Sequence, residues 1–246
     1  MYIHHKQPLD FCREVALGGN ACRGGKDNTR PIVTIPDARP KRSNQCQRPT
    51  GWIGRVVLWS MNRRHSGVTD WGLGHLSIHE SDTILDVGCG GGRTVAKLAS
   101  LAPNGVVHGI DYAPASVDAA RRHNRQLIEL GRVSIQEASV AELPFANDTF
   151  DLVTAIETHF WWQDLNRGLR ESFRVLKPGG RMAVIAEFYN GGKHAKYADR
   201  LTRWTTMAVL DVGQHAAMLS DAGFSDVIVD EEKGRGWIFT AGTKPR

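Results

Sequence analysis

From residue 83 onward, short apolar runs alternate with segments whose apolar residues recur every three or four positions. The runs are TILDVG (83–88), GVVHGID (105–111), VSIQEAS (133–139), FDLVTAIE (150–157) and GRMAVIAEF (180–188). Runs of this length, rich in Val and Ile and bounded by turn residues, predict buried strands. Between them, RTVAKLAS (93–100), PASVDAARRHNRQLIEL (114–130, closed by Gly131) and LNRGLRESFRVL (165–176) carry helical spacing. VGQHAAMLSDAG (212–223) is a further helix. SDVIVDEE (225–232) and GWIFTAGTK (236–244) follow, joined by a charged turn containing Gly, and predict an antiparallel hairpin. Regular β-α alternation predicts a parallel, doubly wound sheet with helices on both faces. Upstream, Ile53, Val57, Leu58 and Met61 lie at helical spacing. A second short helix is expected in TDWGLGHLSIH, with Thr69 or Asp70 as its N-cap.

Composition adds a boundary. Residues 1–50 hold nine Lys/Arg and four Asp/Glu, a balance of +5, and the rest holds 22 of each sign. The whole net charge therefore sits on the first fifth of the chain, which also carries five of the ten prolines. That segment lacks sustained periodicity and reads as a poorly ordered basic arm (1–50) ahead of a domain at 51–246. Its functional alternative is an arm for an acidic partner such as RNA. Cys12, Cys22 and Cys46, with His4 and His5, match no compact ligand spacing, so no metal site is expected there. No apolar run reaches the roughly 18 residues of a membrane span, and residues 1–25 hold no apolar signal core. The expectation is a cytoplasmic protein.

The candidate chemistry starts where the strand TILDV breaks into GCGGG. Glycines at such a strand end permit positive φ and let a ligand approach bare backbone. The following helix aims its amide end at the same place. A tight turn with close packing is the plainer reading. Asp111 closes the next strand, where a carboxylate can accept both hydroxyls of a ribose or cap the helix that follows. Asp86 stands just before the glycines, where it would repel a phosphate and attract an amine. A ligand with adenosine at one end and an α-amino acid at the other satisfies both acids, and S-adenosylmethionine is such a ligand. A nicotinamide dinucleotide fits less well.

On ILDVGCGGG, GIDYAP, ASVAELPFANDTFDLV, ESFRVLKPGGRM and LSDAGFSDV, the chain over residues 65–246 resembles the class I S-adenosylmethionine-dependent methyltransferases. Within them it looks like the small-molecule branch. The resemblance implies an α/β three-layer sandwich on a Rossmann-like, seven-stranded, mostly parallel sheet whose last strand is antiparallel. It implies that Asp86 and Gly88 hold the methionine end, that Gly90 and Gly92 shape the turn, and that Asp111 binds the ribose. It places Tyr112 on the adenine, Ser139 and the Val140 amide at the adenine edge, and the backbone near Ala155 beside the methionine moiety. Many relatives carry an Asp where this chain has Ser139.

Methyl transfer from a sulfonium is an in-line displacement, so alignment of the nucleophile and exclusion of water matter most. The fourth strand delivers IETHFWW. Glu157 and His159 are the candidate catalytic bases. Trp161 and Trp162 would wall an apolar small-molecule acceptor, or else pack a loop onto a helix. His65, Trp71 and Tyr197 are candidates to line the acceptor pocket from the covering segment and from the insertion after the fifth strand. Cys89 reads as a small residue at a crowded turn. Besides a small-molecule methyltransferase, a nucleic-acid methyltransferase using the basic arm and a non-catalytic cofactor-binding domain remain open.

Overall fold

A computed structural model describes residues 65–204 and 207–246. The basic arm at 1–50 and the helix expected around Ile53–Met61 lie outside the described residues.

Seven strands form one sheet. They are β1 (Thr83–Val87), β2 (Val106–Asp111), β3 (Val133–Glu137), β4 (Phe150–Ile156), β5 (Leu176–Ala186), β6 (Ser225–Glu232) and β7 (Trp237–Thr243). Their order is β3-β2-β1-β4-β5-β7-β6. The first five run parallel, and β7 is antiparallel to both β5 and β6. The expected mostly parallel sheet with a terminal hairpin is therefore present. The direction of winding switches between β1 and β4, so a crevice opens beyond their carboxyl ends.

The helices are α1 (Ser66–Leu73), α2 (Arg93–Leu101), α3 (Pro114–His123), α4 (Arg125–Glu129), α5 (Leu165–Val175), α6 (Ala195–Trp204) and α7 (Val212–Asp221). Among the described residues, no helix is long and apolar enough to cross a membrane. One apolar layer packs α1, α2 and α3 on one sheet face, through Val68, Val95, Leu98, Val117, Ile84 and Ile185. A second packs α5 and α7 on the other, through Leu169, Leu219, Leu85, Val153 and Met182. Buried strands are apolar on both faces, which is why the sequence runs were continuous rather than alternating.

Three boundaries differ from expectation. The long helix after β2 breaks at Asn124, whose buried side-chain amide donates to the carbonyls of Gly92 and Ala120, each at 2.9 Å. A side chain bonded to its own helix backbone competes with helix continuation. Helix α1 begins at Ser66, so Thr69 and Asp70 are interior residues rather than caps. A Cβ on Gly72 would run into the Ile185 side chain, so its absence lets α1 lie directly on β5. Strand β5 begins at Leu176, ahead of Pro178 and Gly179, because Gly180 accepts from the Lys244 amide while Gly179 donates to the Lys244 carbonyl.

Candidate active site

The three glycines of the turn after β1 have distinct tasks. Gly88, Gly90 and Gly92 all take positive φ, at +73°, +51° and +80°. A Cβ on Gly88 would collide with Thr158, and one on Gly92 with Ala120 and Asn124. Both are close-packing glycines. A Cβ on Gly90 would meet nothing within 4 Å. The bare backbone of Gly90 therefore faces open space, and its amide donates to Asp111 Oδ2 at 3.0 Å.

Asp111 also accepts from the Ala113 amide at 2.9 Å, on Oδ1. Burial pushes its pKa up, while the hydrogen bonds from Ala113, Gly90 and Ser116 pull against that. A carboxylate can accept about four hydrogen bonds, so three protein donors leave acceptor capacity for a ligand hydroxyl. The acid fixes the turn and keeps acceptor capacity beyond its protein donors. Asp86 is only 2 % exposed and accepts from Thr154 Oγ1 at 2.8 Å. Burial raises its pKa to about 7, against the Thr154 hydrogen bond, and nearby Asp111 adds to the rise. A cationic ligand group beside it would reverse that shift.

One cleft joins Asp86 to the glycine turn, and Asp111 lies behind Gly90 without lining it. The cleft is lined by Asp86, Gly88, Gly90 and Gly91 below, by Arg93, Thr94 and Lys97 from α2, by Thr69 and Asp70 from α1, and by His65 just before α1. Ile156 and Glu157 close it at the end of β4. Lys97 is hydrogen-bonded to Asp70, which ties α1 to α2 across the cleft. Of the residues singled out from sequence, Asp86, Gly88, Gly90, His65 and Glu157 thus meet in one place. Sequence reasoning missed Thr69 and Lys97 as cleft residues, and it missed Glu187 beyond β5. Only the helical period of α1 and α2, which aims Thr69 and Lys97 at one gap, could have found the first two.

Glu157 takes φ +58° although it is not glycine. That conformation costs a non-glycine residue about 1 kcal/mol or more. It is held by a hydrogen bond from the Glu157 amide to the Ile185 carbonyl at 2.9 Å and by the Glu187 amide donating to Glu157 Oε1. The chain then enters a 3-10 turn at His159–Trp161 instead of continuing as a strand.

That turn redirects every side chain after it. His159 is 1 % exposed and packs its ring on Phe160 and His215, so it is a core residue and does not line the cleft. Burial and the neighbouring His215 hold its pKa well below the usual histidine range. Trp162 is 6 % exposed and lies against Gly168 of α5, with its Nε1 3.4 Å from Thr158 Oγ1. Trp161 is half-buried beside Phe160. The expected aromatic acceptor wall is therefore packing around α5 and β5. Trp71 packs on His75 and Trp237, and Tyr197 on Phe188, and neither lines the cleft.

On the β2–β3 side of the turn, Tyr112 is 41 % exposed at the end of β2. Ser139 is exposed and accepts from the Ala141 amide at 3.2 Å. The Val140 side chain turns toward Gly168 of α5. Arg167 donates to the Ala141 carbonyl at 2.6 Å and so pins this loop to α5. The Ala155 side chain is fully buried within the core behind β4. Cys89 is buried, and desolvation drives its thiol pKa well above the ordinary value, consistent with a small packing residue.

Comparisons with known proteins agree with this geometry. Residues 84–180 match the family described as a methyltransferase domain. An O-methyltransferase of Pyrenophora dematioidea is 30% identical over 145 residues, covering 57% of this chain and 53% of that protein. The ubiquinone/menaquinone biosynthesis C-methyltransferase of Geotalea daltonii is 38% identical over 106 residues, covering 43% and 45%. The chain thus spans about half the length of these curated relatives. A chain of the solved complex between the Haloferax volcanii Trm112 methyltransferase activator and a methyltransferase shares the fold, with a TM-score of 0.71 at 20% identity. It covers 84% of this chain and 100% of that one. The glycine turn and the acids at the ends of β1 and β2 fall within the matched segment, and residues 84–180 are a methyltransferase domain by that match.

Proposed function

We propose that this chain moves a methyl group from S-adenosylmethionine to a small-molecule acceptor. The observation that carries the reading is the cleft itself. It unites the open face of Gly90, the buried acid Asp86 and a polar wall of His65 and Glu157. S-Adenosylmethionine supplies a methyl group on a sulfonium leaving group. Asp86 attracts the ammonium end, and the first-turn amides of α2 at Arg93 and Thr94 favour the carboxylate. Asp111 accepts the ribose hydroxyls while Gly90 holds it in place. Tyr112, Ser139 and the Val140 amide lie on the adenine side, and the backbone at Ala155 lies beside the methionine moiety.

Helix α1 covers the acceptor side and keeps water out, through its contact with β5 and the Lys97–Asp70 bridge. His65 and Glu157 orient the polar end of the acceptor. Relatives named as O- and C-methyltransferases support a small acceptor. A nucleic-acid acceptor draws support only from the charge of residues 1–50.

Calorimetry with S-adenosylhomocysteine tests the cofactor half. Wild-type protein should bind it, and Asp111→Ala should weaken binding by about 1.5–3 kcal/mol, the range for a hydrogen bond to a charged group. Unchanged affinity in the variant would remove Asp111 from the ribose. Release of S-adenosylhomocysteine in the presence of small hydroxylated aromatics, and its absence with RNA, tests the acceptor half.

A further inference from the structure

Three side chains that no local motif links meet at one corner of the cleft. His65 Nε2 lies 3.6 Å from Glu187 Oε1 and 4.0 Å from Glu157 Oε2. One ligand atom from each of the three falls within 4.8 Å of the others. They arrive from the residue before α1, the carboxyl end of β4 and the first position beyond β5. His65 Nε2 is shielded from solvent and has no hydrogen-bond partner among the described residues. It therefore presents a nitrogen lone pair, or a proton, to two carboxylates that it does not reach by a hydrogen bond.

The two separations from His65 are those of a coordination shell. Ligands each about 2.1 Å from one ion stand about 3.0 Å apart at right angles, about 3.4 Å in a tetrahedron and about 4.2 Å when opposite. The observed 3.6 and 4.0 Å fall inside that span. We propose that His65, Glu157 and Glu187 bind one divalent first-row cation of the Mn2+ or Zn2+ kind. One imidazole with two carboxylates favours such ions over Ca2+ and Mg2+, which prefer oxygen alone, and over copper(I), which prefers sulfur.

Three protein ligands leave coordination positions open toward the cleft. The cation's catalytic use rests on the methyl-transfer reading above, although its binding does not. An acceptor hydroxyl taken up at an open position is oriented and acidified, and its proton is given up to bulk solvent as the hydroxyl coordinates. The acceptor class this selects is an oxygen-bearing small molecule. The strained conformation of Glu157 turns its carboxylate back toward Glu187 instead of along β4. The sequence pattern implied no metal because the ligands lie in three separate segments.

The test uses the full chain, stripped with a chelator and titrated with Mn2+ while the free ion is followed by electron paramagnetic resonance. One ion should bind per chain. Glu187→Gln and His65→Ala should each weaken binding by about tenfold or more. His75→Ala, whose ring pairs with Asp230 and does not line the cleft, should leave it unchanged. Zn2+ should displace Mn2+ from the wild-type chain. Failure of the wild-type chain to bind overturns the proposal, as does equal binding in wild type and in either variant that keeps a native circular dichroism spectrum. If one variant does not fold, the other decides. Titration of S-adenosylhomocysteine on the same samples separates the two readings. Cofactor binding without Mn2+ binding sinks only the cation site, and Mn2+ binding without cofactor binding sinks only the methyl-transfer reading.

Discussion

The Thr158 side chain occupies the space that a Cβ on Gly88 would need. The glycine turn after β1 and the segment after β4 are therefore fitted to each other. Gly88 also donates its amide to the Ile110 carbonyl at 2.8 Å, so it cannot withdraw without breaking β1 from β2. Gly88→Ala adds both this overlap and the strain of φ +73°. Thermal unfolding should show a loss of about 2 kcal/mol or more. Gly90→Ala lacks the overlap, so it should cost less stability while damaging S-adenosylhomocysteine affinity. Equal destabilisation by both substitutions would contradict the division of labour between the two glycines.

Asp86 makes a prediction in pH. Its pKa is about 7 in the folded chain, against 3.8 for an ordinary Asp. Between those values the folded state binds more protons than the unfolded state, so stability falls as pH rises from about 4 to 7 and then levels. The limit of the effect is about 4 kcal/mol. Asp86→Asn should therefore stabilise the ligand-free chain more at pH 8 than at pH 5 while weakening cofactor binding. Chemical denaturation at both pH values checks it, and equal stabilisation at the two would count against a buried, ionised acid.

The buried histidines act in the opposite direction. Burial lowers His215 to about 4, although Asp211 works to raise it, and holds His159 well below its ordinary 6.5. The unfolded chain takes up protons on both as pH drops below 6.5, whereas in the folded chain His215 does so only near 4 and His159 stays neutral well below 6.5. Their contribution is present above pH 6.5 and is lost as pH falls below it. His159 Nδ1 has no hydrogen-bond partner, so His159→Phe discards none there. The variant should show a shallower loss of stability over that interval. An unaltered slope would place the acid sensitivity elsewhere.

Trp162 separates packing from catalysis. Trp162→Ala opens a cavity between the segment after β4 and Gly168 of α5, at a cost of about 3–5 kcal/mol. The folded fraction should keep its affinity for S-adenosylhomocysteine. Loss of cofactor binding at unchanged melting temperature would return Trp162 to the site.

The sequence made the sheet legible because its buried strands are continuous apolar runs with glycine or proline at their ends. The same locality exposed Asp86, Gly88 and Gly90, which fall within one turn, and Asp111, one strand later. Where the chain changes direction, legibility stopped. His159 follows a strand end and carries no mark that the next residues form a 3-10 turn. That turn depends on Glu157 being held in the left-handed region by β5, and on Thr158 meeting Gly88. The break at Asn124 likewise depends on a carbonyl of Gly92, in a distant segment. Glu187 looked like any polar residue ending a strand, because its partners are His65 and Glu157.

The strand order has a consequence for biosynthesis. Strand β7 is the last of the seven in the chain, yet it lies between β5 and β6 rather than at an edge. Until it emerges, the backbone of Met182–Ala186 in β5 has no partner on that side, although those residues are fully buried in the finished sheet. A nascent chain that has already made the whole glycine turn and its acids would therefore expose a long, apolar, unpaired edge. Translational pausing shortly before Trp237 should be a point of aggregation for this protein, more than pausing at any earlier strand.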